Sequence, residues 1–265
     1  MAGRYRKKRK KRSLRLLTVP LGLLLMAALI VVIFRVLPQT QPQPLAPNPY
    51  KPEDFVWKNG YLTCEGGKVG IDVSSHQGAI DWQTVADAGI EFVMIRVGYR
   101  GYEGGVLHAD EMAQDHYKGA KEAGLLVGAY LFSQAITPKE AAEEARLALL
   151  QVKTWELDLP LVFDWEYVSA EARTALASRQ TVTACAKTFC DAVLQAGYRP
   201  MLYFNPHVAE TYLDLTVLSD VDFWLALYSD QMTYPHKIQM WQYTQEGSVP
   251  GIQGNVDLNL LMPES

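Results

Sequence analysis

From Lys68 onward, short segments rich in β-branched and aromatic residues alternate with longer stretches of helical periodicity, and this alternation restricts the fold more than any other feature of the chain. The strand-like segments are KVGIDVS (68–74), EFVMIRVGY (91–99), LLVGAYLF (125–132), LPLVFDWE (159–166), RPMLYF (199–204), DFWLALY (222–228) and KIQMWQY (237–243). Helical stretches separate the early ones, around Trp82–Ala88, Ala109–Ala123, Pro138–Val152 and Arg179–Ala196, with Thr137-Pro138 and Ser178 as N-terminal caps. Repeated βα units predict a parallel sheet, and seven or eight strands predict its closure into a TIM-like α/β barrel. In the last third the strands follow one another with little room for helices, so the barrel is expected to be irregular on that side.

The barrel occupies residues 68–265, and the chain ahead of it divides further. Residues 1–15 hold nine Lys or Arg and no acid, and from Leu16 to Phe34 the sequence LLTVPLGLLLMAALIVVIF carries no charge. An apolar run of this length suits a transmembrane helix, and positive charge stays on the cytoplasmic side. Residues 16–37 therefore read as a signal-anchor, with residues 1–15 cytoplasmic and the remainder extracytoplasmic at the cell membrane. The competing reading is a cleaved signal peptide, which would have a shorter apolar region and a small-x-small cleavage site. Residues 38–52, PQTQPQPLAPNPYKP, form a Pro- and Gln-rich linker. Within residues 53–67, Asn59-Gly60 lies between two apolar-rich runs from Phe55 to Cys64, which predicts a small hairpin ahead of the barrel.

Charge and motif content exclude several classes. Subtracting the nine basic residues of the N-terminus from the formal net charge of −4 leaves −13 for the rest, which disfavours nucleic acid as a partner of the folded domain. Cys64, Cys185 and Cys190 are odd in number and have no metal-ligand spacing, and they read as small buried hydrophobes. His76, His108, His116, His207 and His236 have no HExxH-type spacing, and no Gly-rich nucleotide loop or G-x-S-x-G elbow occurs. Neither a metal nor a cofactor is expected.

In a barrel of this kind functional groups gather at the C-terminal ends of the strands. Those ends carry Asp72, Arg96, Tyr130, Asp164 with Glu166, Tyr203, Trp224 with Tyr228, Gln242 and Asp257, with His76 close to the same mouth. Asp164 and Glu166 are two apart on a strand and so point to one side. Two neighbouring carboxylates oppose each other's ionisation, so one keeps a proton and serves as an acid while the other stays charged, the equipment of glycosidic bond cleavage. Asp72 and Asp257 add two acids from the first and last strands. Tyr130, Tyr203, Trp224, Tyr228 and Trp241 either stack on sugar rings or pack in the core, with Trp82 read as core.

Taken in order, GIDVSSHQGAIDW, FVMIRVGY, AYLFSQA, VFDWE, MLYFN, FWLALY, MWQY and NVDLN resemble the glycoside hydrolase family 25 lysozymes, which are N-acetylmuramidases, from about Val69 to Met262. The resemblance implies a flattened, irregular β/α barrel acting on the glycan strands of peptidoglycan at the β-1,4 bond between N-acetylmuramic acid and N-acetylglucosamine. It places the family's acids on Asp72, Asp164, Glu166 and Asp257, with Glu166 as general acid and Asp164 assisting, and it leans toward retention through an oxazolinium-like intermediate. The membrane segment and the hairpin are additions to the family pattern. Two other readings stay open: a non-catalytic peptidoglycan binder, and a hydrolase of another polysaccharide such as chitin.

Overall fold

The computed structural model describes Gly3 and residues 43–263. The span expected at residues 16–34 lies outside the described residues, and among those described no helix is long and apolar enough to cross a membrane.

Eleven strands are present among the described residues. Strands β1 (Phe55–Lys58) and β2 (Tyr61–Cys64) form the hairpin. Strands β3 (Lys68–Val73), β4 (Phe92–Arg100), β6 (Leu126–Ser133), β7 (Leu161–Trp165), β8 (Pro200–Phe204), β9 (Asp222–Ala226), β10 (Met240–Gly247) and β11 (Val256–Leu261) close into an eight-stranded barrel, and the short β5 (Leu107–Ala109) is added on β4. Neighbours from β3 through β10 are parallel. The all-parallel expectation fails at β11, which runs antiparallel to both β10 and β3. Only a turn separates β10 from β11, and so short a connection allows only an antiparallel return.

Helices α1 (Trp82–Asp87), α2 (Ala113–Glu122), α3 (Pro138–Gln151), α4 (Arg179–Gln195) and α5 (Pro206–Thr211) lie between strands. The Thr137 and Ser178 side chains accept from Glu140 N at 3.3 Å and Thr181 N at 3.1 Å, capping α3 and α4. The helix expected from Ala109 starts later, at Ala113. Ala109 ends β5, and the Asp110 carboxylate accepts from Met112 N at 3.0 Å, making a turn where a helix was predicted.

Alternation along each strand divides its residues between two apolar layers. Val93, Ile95, Phe163, Leu202, Leu225 and Leu258 face outward toward the helices. Phe92, Met94, Val162, Met201, Trp224 and Met240 fill the lumen. Gly70 and Gly128 make that filling possible: a Cβ on Gly70 would meet the Phe92 ring at 2.4 Å, and one on Gly128 would meet Met94 Sδ at 2.5 Å. Following the inward set toward the mouth, Met94 gives way to Arg96, Val162 to Asp164, Met201 to Tyr203 and Met240 to Gln242. The lumen is apolar below and polar above.

Where the regular pattern would place a helix outside β10, the hairpin packs instead. Asn59 and Gly60 have φ of 53° and 85°, the left-handed pair that a two-residue hairpin turn requires. Phe55 meets Trp241 edge-on at 5.2 Å, Trp57 meets Tyr243 edge-on at 5.9 Å, and Leu62 N donates to Tyr243 Oη at 3.3 Å. The segment before it, read as linker, runs extended and is tied to the domain: Asn48 N donates to Pro235 O and Lys237 N to Ala46 O, at 2.9 and 2.8 Å. The three cysteines are buried and unpaired, and burial pushes the Cys185 thiol up to about 12.

At the C-terminal ends of β4 and β6 a buried ion pair ties these strands to α3. Arg100 Nε donates to Glu144 Oε1 at 2.6 Å and Ser133 Oγ donates to Glu144 Oε2 at 2.7 Å, with both charged side chains almost fully covered. Replacing Glu144 with Ala leaves the Arg100 guanidinium buried beside only the 3.5 Å partner Glu143 and backbone oxygens. Urea denaturation is expected to show Glu144→Ala losing roughly 3 kcal/mol or more, and Glu143→Ala, at the partly exposed position, less than about 1 kcal/mol. Equal losses for the two variants would show that burial of the pair does not matter.

Candidate active site

The eleven residues singled out from the sequence converge on one polar pocket of about 290 Å3 at the barrel mouth. Asp72 and Asp257 reach it from β3 and β11, where they are directly opposed in the antiparallel register. Asp257 is the second residue of β11 and not at its C-terminal end as expected. The reversed strand turns its beginning toward the mouth. Asp164 enters from β7 and Glu166 lies just past the end of that strand, Tyr203 stands beside Asp164 on β8, and Arg96 pairs with Tyr130 across β4 and β6. Trp224, Gln242, Tyr228 and His76 complete this group. Trp241 does not belong to it: its side chain is fully buried on the outer face of β10, its Nε1 donating to Leu227 O at 2.8 Å, so it is core and not a sugar platform.

A hydrogen-bond chain fixes the seam side of the pocket. Trp224 Nε1 donates to Asn259 Oδ1, and the amide nitrogens of Asn259 and Gln242 both donate to Asp72 Oδ2, each at 2.8 Å. Tyr203 and Tyr228 hydroxyls donate to Gln242 Oε1 at 2.9 and 3.1 Å, which sets the orientation of that amide. Asn259 was not among the residues picked from the sequence. Its signal was available, because it lies two residues from Asp257 on one strand and therefore on the same face.

Arg96 is the only Lys or Arg among the described residues lining this pocket. Its Nε donates to Asp110 Oδ2 at 2.8 Å and its Nη2 to Ser75 Oγ at 3.2 Å, and Ser75 N also donates to Asp110 Oδ2 at 3.1 Å. Asp110, again unforeseen, pairs with this cation and holds it in place, and the Arg96 charge still reaches Asp164, which it lowers against the other influences on that acid. Two further residues missed from the sequence act on Glu166 from behind. Gln134 Nε2 donates to the Glu166 carbonyl oxygen at 2.8 Å, and Thr174 Oγ1 donates to Gln134 Oε1 at 2.9 Å. Arg173 clamps the same loop through two contacts with Glu140 at 2.9 and 2.7 Å and one with Gln134 O at 2.8 Å. These are long-range contacts with no local sequence pattern.

Burial raises all four acids of the pocket, and the single Arg96 charge only partly offsets it at Asp164. Burial, together with the Asp72 charge, raises Glu166 to about 7. Burial raises Asp164 well above the ordinary carboxylate range, with the Glu166 and Asp72 charges adding to it. Asp257 is likewise pushed up by burial and by Asp72, and a hydrogen bond joins this pair. Asp72 is raised by burial against the lowering pull of its Asn259 and Gln242 donors. Asp164 Oδ1 is buried and has no hydrogen-bond partner among the described residues. The arrangement combines a proton donor near neutrality with a partnerless carboxyl oxygen able to accept from a bound molecule.

Comparison with known proteins finds relatives named as lysozymes and autolysins. The chain is 28% identical over 191 residues to the autolytic lysozyme of Clostridium acetobutylicum, covering 72% of this chain and 54% of that protein. It is 29% identical over 209 residues to lysozyme M1 of Streptomyces globisporus, covering 73% and 67%. Among solved structures, the modular autolysin LytC of Streptococcus pneumoniae matches with a TM-score of 0.67 and 26% identity, over 78% of this chain and 52% of that one, and it has also been solved with a synthetic peptidoglycan ligand. The chain therefore spans about half the length of the Clostridium and Streptococcus proteins. Residues 71–252, well over half of the sequence, match the family described as Glycosyl hydrolases family 25, and the chain belongs to that family.

Proposed function

We propose that this chain is a peptidoglycan hydrolase that cleaves the β-1,4 bond between N-acetylmuramic acid and N-acetylglucosamine, with Glu166 as general acid and then general base. The observation that carries the proposal is the Asp72, Asp164, Glu166 and Asp257 cluster in one buried pocket, with Glu166 raised to about 7. The names of the related lysozymes and autolysin, and the peptidoglycan ligand bound by the last, support that substrate class.

In this reading Glu166 gives its proton to the leaving glycosidic oxygen as the bond to the anomeric carbon breaks. The substrate's own acetamido oxygen then bonds to that carbon, forming an oxazolinium ion. Asp164 follows Glu166's direction of approach, since both come from the end of one strand, and a carboxylate nucleophile on the opposite face is hard to place from there. Its unpartnered Oδ1 suits the acetamido N–H, which it would orient and whose developing positive charge it would offset. Glu166, now a carboxylate, takes a proton from water as the water's oxygen attacks the anomeric carbon and opens the ring. Asp72 and Asp257 hold substrate hydroxyls and tune the two working acids, while Tyr228, half exposed, and the edges of Tyr130, Tyr203 and Trp224 shape the sugar site. We further propose that residues 16–37 anchor the chain in the cell membrane with the hydrolase outside. The basic flank at 1–15 and the uncharged run at 16–34 support it.

Glu166→Gln is expected to lower release of new muramic acid reducing ends from purified peptidoglycan by about 10²-fold or more while leaving the thermal unfolding midpoint unchanged. Because the Glu166 pKa is raised, the donor form predominates below about pH 7 and is lost above it. Wild-type activity should fall as pH rises through that value, and a rate flat to pH 9 would remove Glu166 from the acid role. Asp164→Asn is expected to lose activity strongly, and proton NMR of the first-formed product should show the β-anomer. An initial α-anomer would mean inversion, and an adduct trapped on Asp164 would replace substrate assistance with a carboxylate nucleophile. For the anchor, fractionation of the full-length protein should leave it with the membranes, and recovery of a soluble form shortened by about the first 35 residues would establish a cleaved signal peptide.

A further inference from the structure

Tyr228 lines the carboxylate pocket and also a neighbouring groove of about 540 Å3, so the two adjoin at this side chain. The other walls of the groove come from Trp57 and Gly60 of the hairpin, Tyr243, Thr244 and Glu246 of β10, and the turn at Asp230. In β1 only Phe55 is buried. Trp57 is 57% exposed, its ring touching Tyr243 by an edge contact, and Tyr228 is 52% exposed. Phe55 and Leu62 are the buried side chains that seat the hairpin, while Trp57, which also touches Tyr243, leaves more than half of its surface open. It also lies ahead of the residues that match the family, 71–252.

We infer that the hairpin lengthens the catalytic cleft, with Trp57 and Tyr228 forming a stacking platform for a neutral sugar of the same strand whose bond is cut among the carboxylates. The inference rests on the proposed glycan-hydrolase reading and extends it to a site supplied by this chain's own addition. An aromatic face flanked by side-chain oxygens matches a pyranose ring, whose C–H face stacks and whose hydroxyls donate. Asp230 and Glu246, both exposed beside the platform, suit hydroxyl donors and oppose anionic groups. That favours an N-acetylglucosamine unit over a muramic acid unit with its carboxylate or peptide, and it disfavours an anionic lipid surface.

The test measures binding of peptide-free glycan strands, short ones of two to four sugars against long ones of eight or more, to the full chain carrying Glu166→Gln. Turnover of wall material by the chain with Glu166 intact is followed in parallel. Trp57→Ala is expected to weaken binding of the long strands by roughly five- to tenfold, the worth of one aromatic contact. Binding of the short strands should be unchanged, and Trp57→Phe should restore most of the loss. Unaltered long-strand binding in Trp57→Ala would overturn the inference, as would an equal loss on short and long strands. Loss of partition onto anionic phospholipid vesicles with strand binding intact would also overturn it and assign Trp57 to lipid. Failure of the underlying reading looks different: the chain with Glu166 intact would release no reducing ends, whatever Trp57 does to binding.

Discussion

The Asp72–Asp257 pair across the β3–β11 seam is the constraint on which the rest of the mouth depends. The two Cα positions are partners in the antiparallel register that closes the barrel, so closure brings two carboxylates together. Apart, each would ionise; opposed and buried, they are joined by a hydrogen bond with Asp257 pushed up in pKa. Asn259 and Gln242 donate to Asp72 and favour its charged form against the burial that raises it, and that charge helps raise both Glu166 and Asp164. The proton affinity of the proposed general acid therefore originates partly at a strand pairing on another side of the barrel.

Arg96 bears on the same acids from β4. Its guanidinium lowers Asp164, against the burial and the Glu166 and Asp72 charges that raise it. Asp110 holds Arg96 from the side of β5, at the turn where the helix failed to begin, and the Ser75 amide and hydroxyl fix both. A local departure from helical structure thus has an electrostatic consequence at the mouth. The inward rows of side chains complete the division of labour. Phe92, Met94, Val162, Met201 and Met240 close the lumen below, so the polar groups above rest on a dry floor that sustains their shifts.

Much of this was legible in the sequence because it is periodic. The strand segments, the Asn59-Gly60 turn, the Thr137 and Ser178 caps and the inward facing of Asp164 follow from spacings of two or from local capping rules, which survive without tertiary information. The reversal of β11 was not foreseen, since direction depends on the length of the connection from β10 and not on the strand's own residues. Asp110, Gln134, Thr174 and Arg173 were missed for a different reason: each acts on a residue between 14 and 40 positions away, through one or two hydrogen bonds with no periodic trace. Trp241 shows the limit from the other side. It lies next to Gln242, which does line the pocket, and the pleat sends the two to opposite faces, so nearness in sequence to a site residue counted against it.

The irregular side of the barrel follows from one substitution of covering elements. Between β9 and β11 the described chain contains no helix, and the outer face of β10 with its Trp241 and Tyr243 would stand exposed if nothing replaced one. The hairpin supplies that cover through Phe55 and Leu62. A helix laid there would present a convex row of side chains, whereas a two-stranded ribbon is flat, and its strand β1 leaves Val56, Trp57 and Lys58 exposed. The cover of this helix-free part of the barrel wall therefore also leaves an aromatic surface next to Tyr228. The extra element is needed for burial whether or not its exposed face binds anything, which is why the indole at position 57, and not the hairpin itself, is the feature that calls for a ligand.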